Sequence, residues 1–183
     1  MRKLLIYILL SLPSMLFAQQ FNAYDRKVFN EGQVLTITDV EFAKEGYTWQ
    51  AYYPIRLYSI HDEGGETIVT FAYSIGHDSQ WVTFSKGLYV KDEDSGDIYK
   101  VRGYTGKLTM DRLLIVKGCK GKNVLISLRF PKFKRKAKRI SIYNPGHPDD
   151  IKPSNNREDD SVFASKVRVK DYRNVYKPRT VYE

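Results

Sequence analysis

The chain has 183 residues, with 30 lysines and arginines against 21 aspartates and glutamates, and a single cysteine. One cysteine excludes an intramolecular disulfide, so the fold must rest on its apolar core, and the length suits one domain. The net charge of +9 favours anionic partners, although excess charge also serves solubility.

Residues 1–18 have the layout of a secretory signal peptide. Arg2 and Lys3 form a positive start, Leu4 to Leu12 an apolar run, and Met15-Leu16-Phe17-Ala18 a cleavage region. The apolar run is shorter than the ~20 residues that span a bilayer, which favours a leader over an anchor. Cleavage is expected after Ala18. Gln19 follows it, where lipid attachment would need a cysteine. Without Arg2 and Lys3 the balance is 28 basic against 21 acidic groups, a net +7. The expected product is exported to the periplasm or outer envelope, with no transmembrane segment once the signal is removed. Lipopolysaccharide, acidic glycans and envelope proteins are the anionic partners to expect there, and nucleic acid ranks last.

Residues 19–33 read as an extended lead-in. Val34, Thr36, Thr38 and Val40 then alternate with Leu35, Ile37, Asp39 and Glu41, which predicts a strand. Arg56 to Ile60 is a short strand, His61 to Glu66 a turn containing Gly64-Gly65, and Thr67 to Ile75 the returning strand of a hairpin. Trp81 to Phe84 and Leu88 to Val90 follow. The turn from Asp92 to Asp97, with Gly96 suited to positive φ, leads into Ile98 to Arg102. Leu113 to Val116, Val124 to Phe130 and Arg139 to Tyr143 are further apolar strands. No stretch sustains a helical period. The spacing of turns predicts an all-β fold: a single immunoglobulin-like β-sandwich over residues 34–144, with an up-and-down barrel as the alternative. Residues 145–183 read as a linker and irregular tail, in which Lys166-Val167-Arg168-Val169-Lys170 either adds an edge strand or stays disordered.

Several of these residues form one pattern: Val69-Thr70-Phe71, Trp81, Tyr89-Val90-Lys91-Asp92, Ser95 to Val101, Gly103, Leu108, Leu128-Arg129-Phe130-Pro131, Ile140 and Ile142. The pattern resembles a small β-sandwich module found in exported proteins of Bacteroidota-type bacteria, over roughly residues 34 to 143. The resemblance implies fold and export. It supplies no catalytic residues. Where that module has a short Pro- and Gly-containing connection after Phe-Pro, this chain has a basic run, which makes a private anionic partner more plausible.

That run, Lys132, Phe133, Lys134, Arg135, Lys136, Ala137, Lys138 and Arg139, is the first candidate site. Clustered cations attract phosphates or sulfates, the arginines offer bidentate contacts, and Phe133 can stack or insert. The alternative is a solvated loop whose charges discourage aggregation. The second candidate is the aromatic segment Tyr47, Trp49, Tyr52 and Tyr53, which suits sugar rings or a protein interface, or else a satellite core.

The remaining chemistry is sparse. Asp92, Asp94 and Asp97 could ligate Ca²⁺ but lack the rest of such a loop, and a polar turn is the simpler reading. His61, His77 and His147 show no metal-ligand spacing, so no metal or other cofactor is expected. Cys119 reads as an incidental thiol in a turn, with a nucleophile or intermolecular bridge as alternatives. There is no G-x-S-x-G elbow and no glycine-rich phosphate loop. The expected function is a non-catalytic binding module of the envelope. The competing expectation is a small hydrolase using His61, His77 and Asp78 on adjacent loops.

Overall fold

In the computed structural model the described residues are 32–44, 55–82, 84–110, 112–145 and 162–173, and the structural account concerns these. The expected signal peptide, most of the lead-in, the aromatic segment with Tyr47, Trp49, Tyr52 and Tyr53, and His147 lie outside them. About half of the described residues lie in strands: β1 (Gln33–Leu35), β2 (Ile55–Glu63), β3 (Glu66–Ser74), β4 (Ser79–Val82), β5 (Tyr89–Asp92), β6 (Ile98–Lys100), β7 (Gly103–Tyr104), β8 (Leu114–Lys117), β9 (Asn123–Pro131), β10 (Arg139–Tyr143) and β11 (Val162–Arg168). One short helix, α1 (Val169–Arg173), follows β11. The fold class is all-β. No helix of the described residues is long and apolar enough to cross a membrane.

The strands form three sheets, ordered β1-β8-β4, β11-β10-β5-β6 and β2-β3-β9-β7. Neighbours pair antiparallel except β1 with β8, which run parallel. One apolar core joins all three sheets: Ile60, Phe71, Ile126 and Phe130 from the third, Val90, Ile140 and Ile142 from the second, Val82, Leu114 and Val116 from the first. The period-2 alternation of these strands sends one set of side chains inward, and burial of each is worth ~1.5–3 kcal/mol.

Two local readings of the sequence need correction. β2 continues through His61 and Asp62 to Glu63, and the turn is Gly64-Gly65 alone, with φ of 56° and 82°. Two successive residues in the left-handed region match a type I′ hairpin turn, which carries the twist of its strands without splaying them. The strand expected from Val34 to Glu41 stops at Leu35. The Asp39 carboxylate accepts from the Thr36 amide at 2.7 Å and from the Thr36 hydroxyl at 2.6 Å. This local bonding competes with the sheet ladder and turns the chain; it also holds the Asp39 carboxyl below its ordinary pKa.

The segment expected to be tail adds to the second sheet. β11 pairs with β10 as an edge strand, with register shifts near Ile142, and Lys166 takes a φ of 49°. Val169, at the start of α1, is buried in the core.

A cationic cleft with two walls

The basic run connects β9 to β10, and the structure divides its residues between two tasks. Phe133 is 2% exposed, and its ring lies 4.6 Å from that of Tyr99 and 6.2 Å from that of Phe130. It is therefore a core residue, and the expected stacking or insertion of Phe133 into a partner does not hold. Apolar area of that size is worth more inside than on a charged loop. Ala137 is buried as well. The Phe133 amide donates to the Thr67 hydroxyl at 2.9 Å, and the Lys134 amide to the Tyr99 hydroxyl at 3.2 Å. Anchored this way, the loop turns between Lys134 and Ala137 and leaves Lys132, Lys134, Arg135, Lys136, Lys138 and Arg139 exposed.

Not all of these cations remain available. Lys134 Nζ lies 2.7 Å from Asp97, and Arg139 contacts the Asp94 carboxylate at 2.6 Å. These pairs hold both aspartates below their usual pKa; Ser95 adds a hydrogen bond to Asp97. Asp92 is buried, accepting from the Asp94 amide and the Ser95 hydroxyl at 2.9 Å. The three aspartates thus build a turn and neutralise two cations of the neighbouring loop. Among the described residues no three His, Cys, Asp or Glu side chains gather to hold a metal ion.

A cleft of about 930 Å³ opens beside the loop, lined by Lys132, Phe133, Arg135, Ala137, Lys138 and Arg139 on one wall. The other wall is Arg168, Val169, Lys170 and Arg173, with Asp62 and Asp94 completing the lining. Among the described residues, seven cations thus face two carboxylates, an excess of five positive charges. Lys134 and Lys136 fall outside it. The β10–β11 register places Arg139 directly opposite Arg168, and like charges across an antiparallel pair are unfavourable. Each is relieved separately, Arg139 by Asp94 and Arg168 by Asp171 at 2.9 Å.

The walls are tied together underneath. The Thr67 hydroxyl that accepts from Phe133 donates to Asp62 at 2.8 Å, and Asp62 pairs with Arg173 at 3.4 Å. The Val169 amide also donates to the Lys138 carbonyl at 2.9 Å. Neither Arg168, Lys170 nor Arg173 was among the sequence candidates. The alternation of cations in Lys166-Val167-Arg168-Val169-Lys170 was the available signal, but nothing in it says which strand it meets.

The His/Asp constellation does not assemble. His61 lies in β2 opposite Ile68, near the Gly64-Gly65 turn, buried and 3.3 Å from Glu63. His77 and Asp78 are exposed residues beyond Ser74, at the other end of β3. The strand from Ile68 to Ser74 spans roughly 20 Å at ~3.3 Å per residue. Asp78 uses its carbonyl to accept from the Gly118 amide at 2.9 Å. Cys119 is buried and its Sγ lies 3.5 Å from the Lys117 carbonyl; burial pushes the thiol up, so it stays protonated at neutral pH.

No family model, curated protein or solved structure matches this chain.

Proposed function

We propose that the protein is an exported, non-catalytic binding module of the cell envelope, an immunoglobulin-like β-sandwich in the broad sense, and that the cationic cleft is its site. One observation carries this reading: cations from two segments of the chain surround one cleft, and among the described residues only two carboxylates line it. The opposed Arg139 and Arg168 supply a physical reason. Asp94 and Asp171 offset part of this like-charge opposition, and an anion lying between the two arginines would offset more of it. The partner is an anionic glycan, lipopolysaccharide among them, or the acidic face of an envelope protein. The leader-like residues 1–18 and the resemblance to exported Bacteroidota-type modules support the location.

The test is binding of the purified protein to lipopolysaccharide, anionic glycans and envelope extract at low and high salt. A variant carrying Lys132→Ser, Arg135→Ser and Lys138→Ser runs in parallel. Salt-sensitive binding that the variant loses is the expected result. Equal binding by both, or by neither, overturns the reading. Mass analysis of the exported product should find Gln19 at its start; an intact residue 1–18 segment would remove the case for signal cleavage.

A further inference from the structure

The cations lining the cleft are of two kinds, and the difference narrows the ligand. Arg139, Arg168 and Arg173 each hold a carboxylate of the chain itself: Asp94, Asp171 and Asp62. Lys132, Arg135, Lys138 and Lys170 have no ion pair among the described residues. Three of these four are ammonium groups. An ammonium is a compact point charge on a flexible stem, without the fork that fixes the geometry of a single phosphate or carboxylate. They also sit on both walls, Lys132, Arg135 and Lys138 on one and Lys170 on the other. Such a set reads charge density along a ligand more than the shape of one group.

Among the described residues, the rest of the lining argues against two other polyanion classes. Sites for single-stranded nucleic acid pair a basic groove with aromatic platforms for the bases. The one aromatic ring that lines this cleft among the described residues, Phe133, is 2% exposed and packed on Tyr99 and Phe130. Tight protein partners bring large apolar anchors into pockets. The apolar lining here, Phe133, Ala137 and Val169, is 2%, 6% and 2% exposed and already belongs to the core. What remains is a chain bearing repeated negative charge and needing neither stacking nor an apolar anchor.

We infer that the occupant of this cleft is an acidic polysaccharide chain, lying between the two walls and held by Lys132, Arg135, Lys138 and Lys170. This rests on the binding reading above and chooses among its partners. Carboxylate and sulfate groups are both suited to the site, and the test carries an arm for each. Titrations would use the purified protein with galacturonate oligomers of increasing length, a sulfated dextran, neutral dextran, poly-glutamate and a single-stranded oligonucleotide.

Affinity should rise with oligomer length, and neutral dextran should not bind. Four engaged cations should give a slope of about 3 for log Kd against log salt, at ~0.7 per neutralised charge. The variant Lys138→Ser with Lys170→Ser, one change on each wall, should lower that slope by about 1.4 and weaken binding about tenfold at low salt. Lys138→Arg with Lys170→Arg should restore both, because it returns the charge. Tighter binding of the oligonucleotide or poly-glutamate overturns the inference. So does equal affinity for monomer and polymer, or indifference to the Lys138→Ser with Lys170→Ser variant. If lipopolysaccharide or envelope extract binds and the loop variant loses it while no acidic polysaccharide binds, this inference falls and the binding reading stands. If no anion binds, both fall.

Discussion

The wall formed by residues 132–139 is anchored from within the molecule, whereas the wall formed by residues 168–173 hangs from the edge of a sheet. The first has Phe133 and Ala137 buried and two backbone amides bonded to Thr67 and Tyr99. The second has the buried Val169, its amide bonded to the Lys138 carbonyl, the pairing of β11 on β10, and an ion pair from Arg173 to Asp62. Their charges are alike, so attraction of an anion does not distinguish them; what differs is how each is held. A wall carried on an edge strand is expected to open at lower free energy than one pinned by two buried side chains. The Phe133–Thr67–Asp62–Arg173 chain of bonds is the element through which the first wall steadies the second.

The strongest way to break the contrast is Phe133→Ala. Removal of a buried aromatic ring should destabilise the protein by about 3–5 kcal/mol and loosen the loop wall. Urea unfolding checks this, and a loss below about 1 kcal/mol would mean that the ring anchors nothing. Thr67→Val keeps the shape but strands the Phe133 amide and takes one donor from the Asp62 carboxylate. A cost of about 1–3 kcal/mol is expected. Hydrogen exchange should quicken at Phe133 and also around Arg173; unchanged exchange in residues 168–173 would show that the walls are not linked.

Val169→Ala removes two buried methyl groups at about 0.8 kcal/mol each. The effect on global stability should be about 1.5 kcal/mol, but exchange protection should fall mainly in β11 and α1. A uniform loss across all three sheets would show that the C-terminal wall is as firmly built as the loop.

Asp94→Asn has the smallest effect on stability and sharpens the electrostatic side of the comparison. The fold lowers the Asp94 and Asp97 pKa values below the ordinary 3.8. Their contribution is therefore complete at neutral pH, and it is lost as pH falls through 3.8 toward the lowered values. Thermal unfolding of the natural protein should weaken over that window, and the Asn variant should show a flatter profile. At neutral pH the variant should also bind an acidic polysaccharide a few-fold more tightly, since Arg139 is released opposite Arg168. Weaker binding would mean that Asp94 positions Arg139 for the ligand.

Much of the fold follows from local rules. Apolar, β-branched runs mark β3, β9 and β10, and Gly64-Gly65 and Gly96 mark turns because few other residues take positive φ. The cations of 132–139 are visible as a run. Local rules failed at Asp39, where a side chain outbid the sheet for a backbone amide, and at His61, where the glycines made the turn shorter than its polar flanks suggested.

The sequence by itself determined the all-β class, the positive balance and the dense cationic run, because side-chain periodicity, turn chemistry and charge are properties of neighbouring residues. Only the tertiary structure decided that Phe133 leaves that run for the core, that Asp94 and Asp97 neutralise two of its cations, and that Arg168, Lys170 and Arg173 complete a second wall. Those outcomes depend on residues distant in the chain, Phe133 with Thr67, Arg139 with Asp94 and with Arg168, meeting in one arrangement, and register is set by the whole buried face of a sheet.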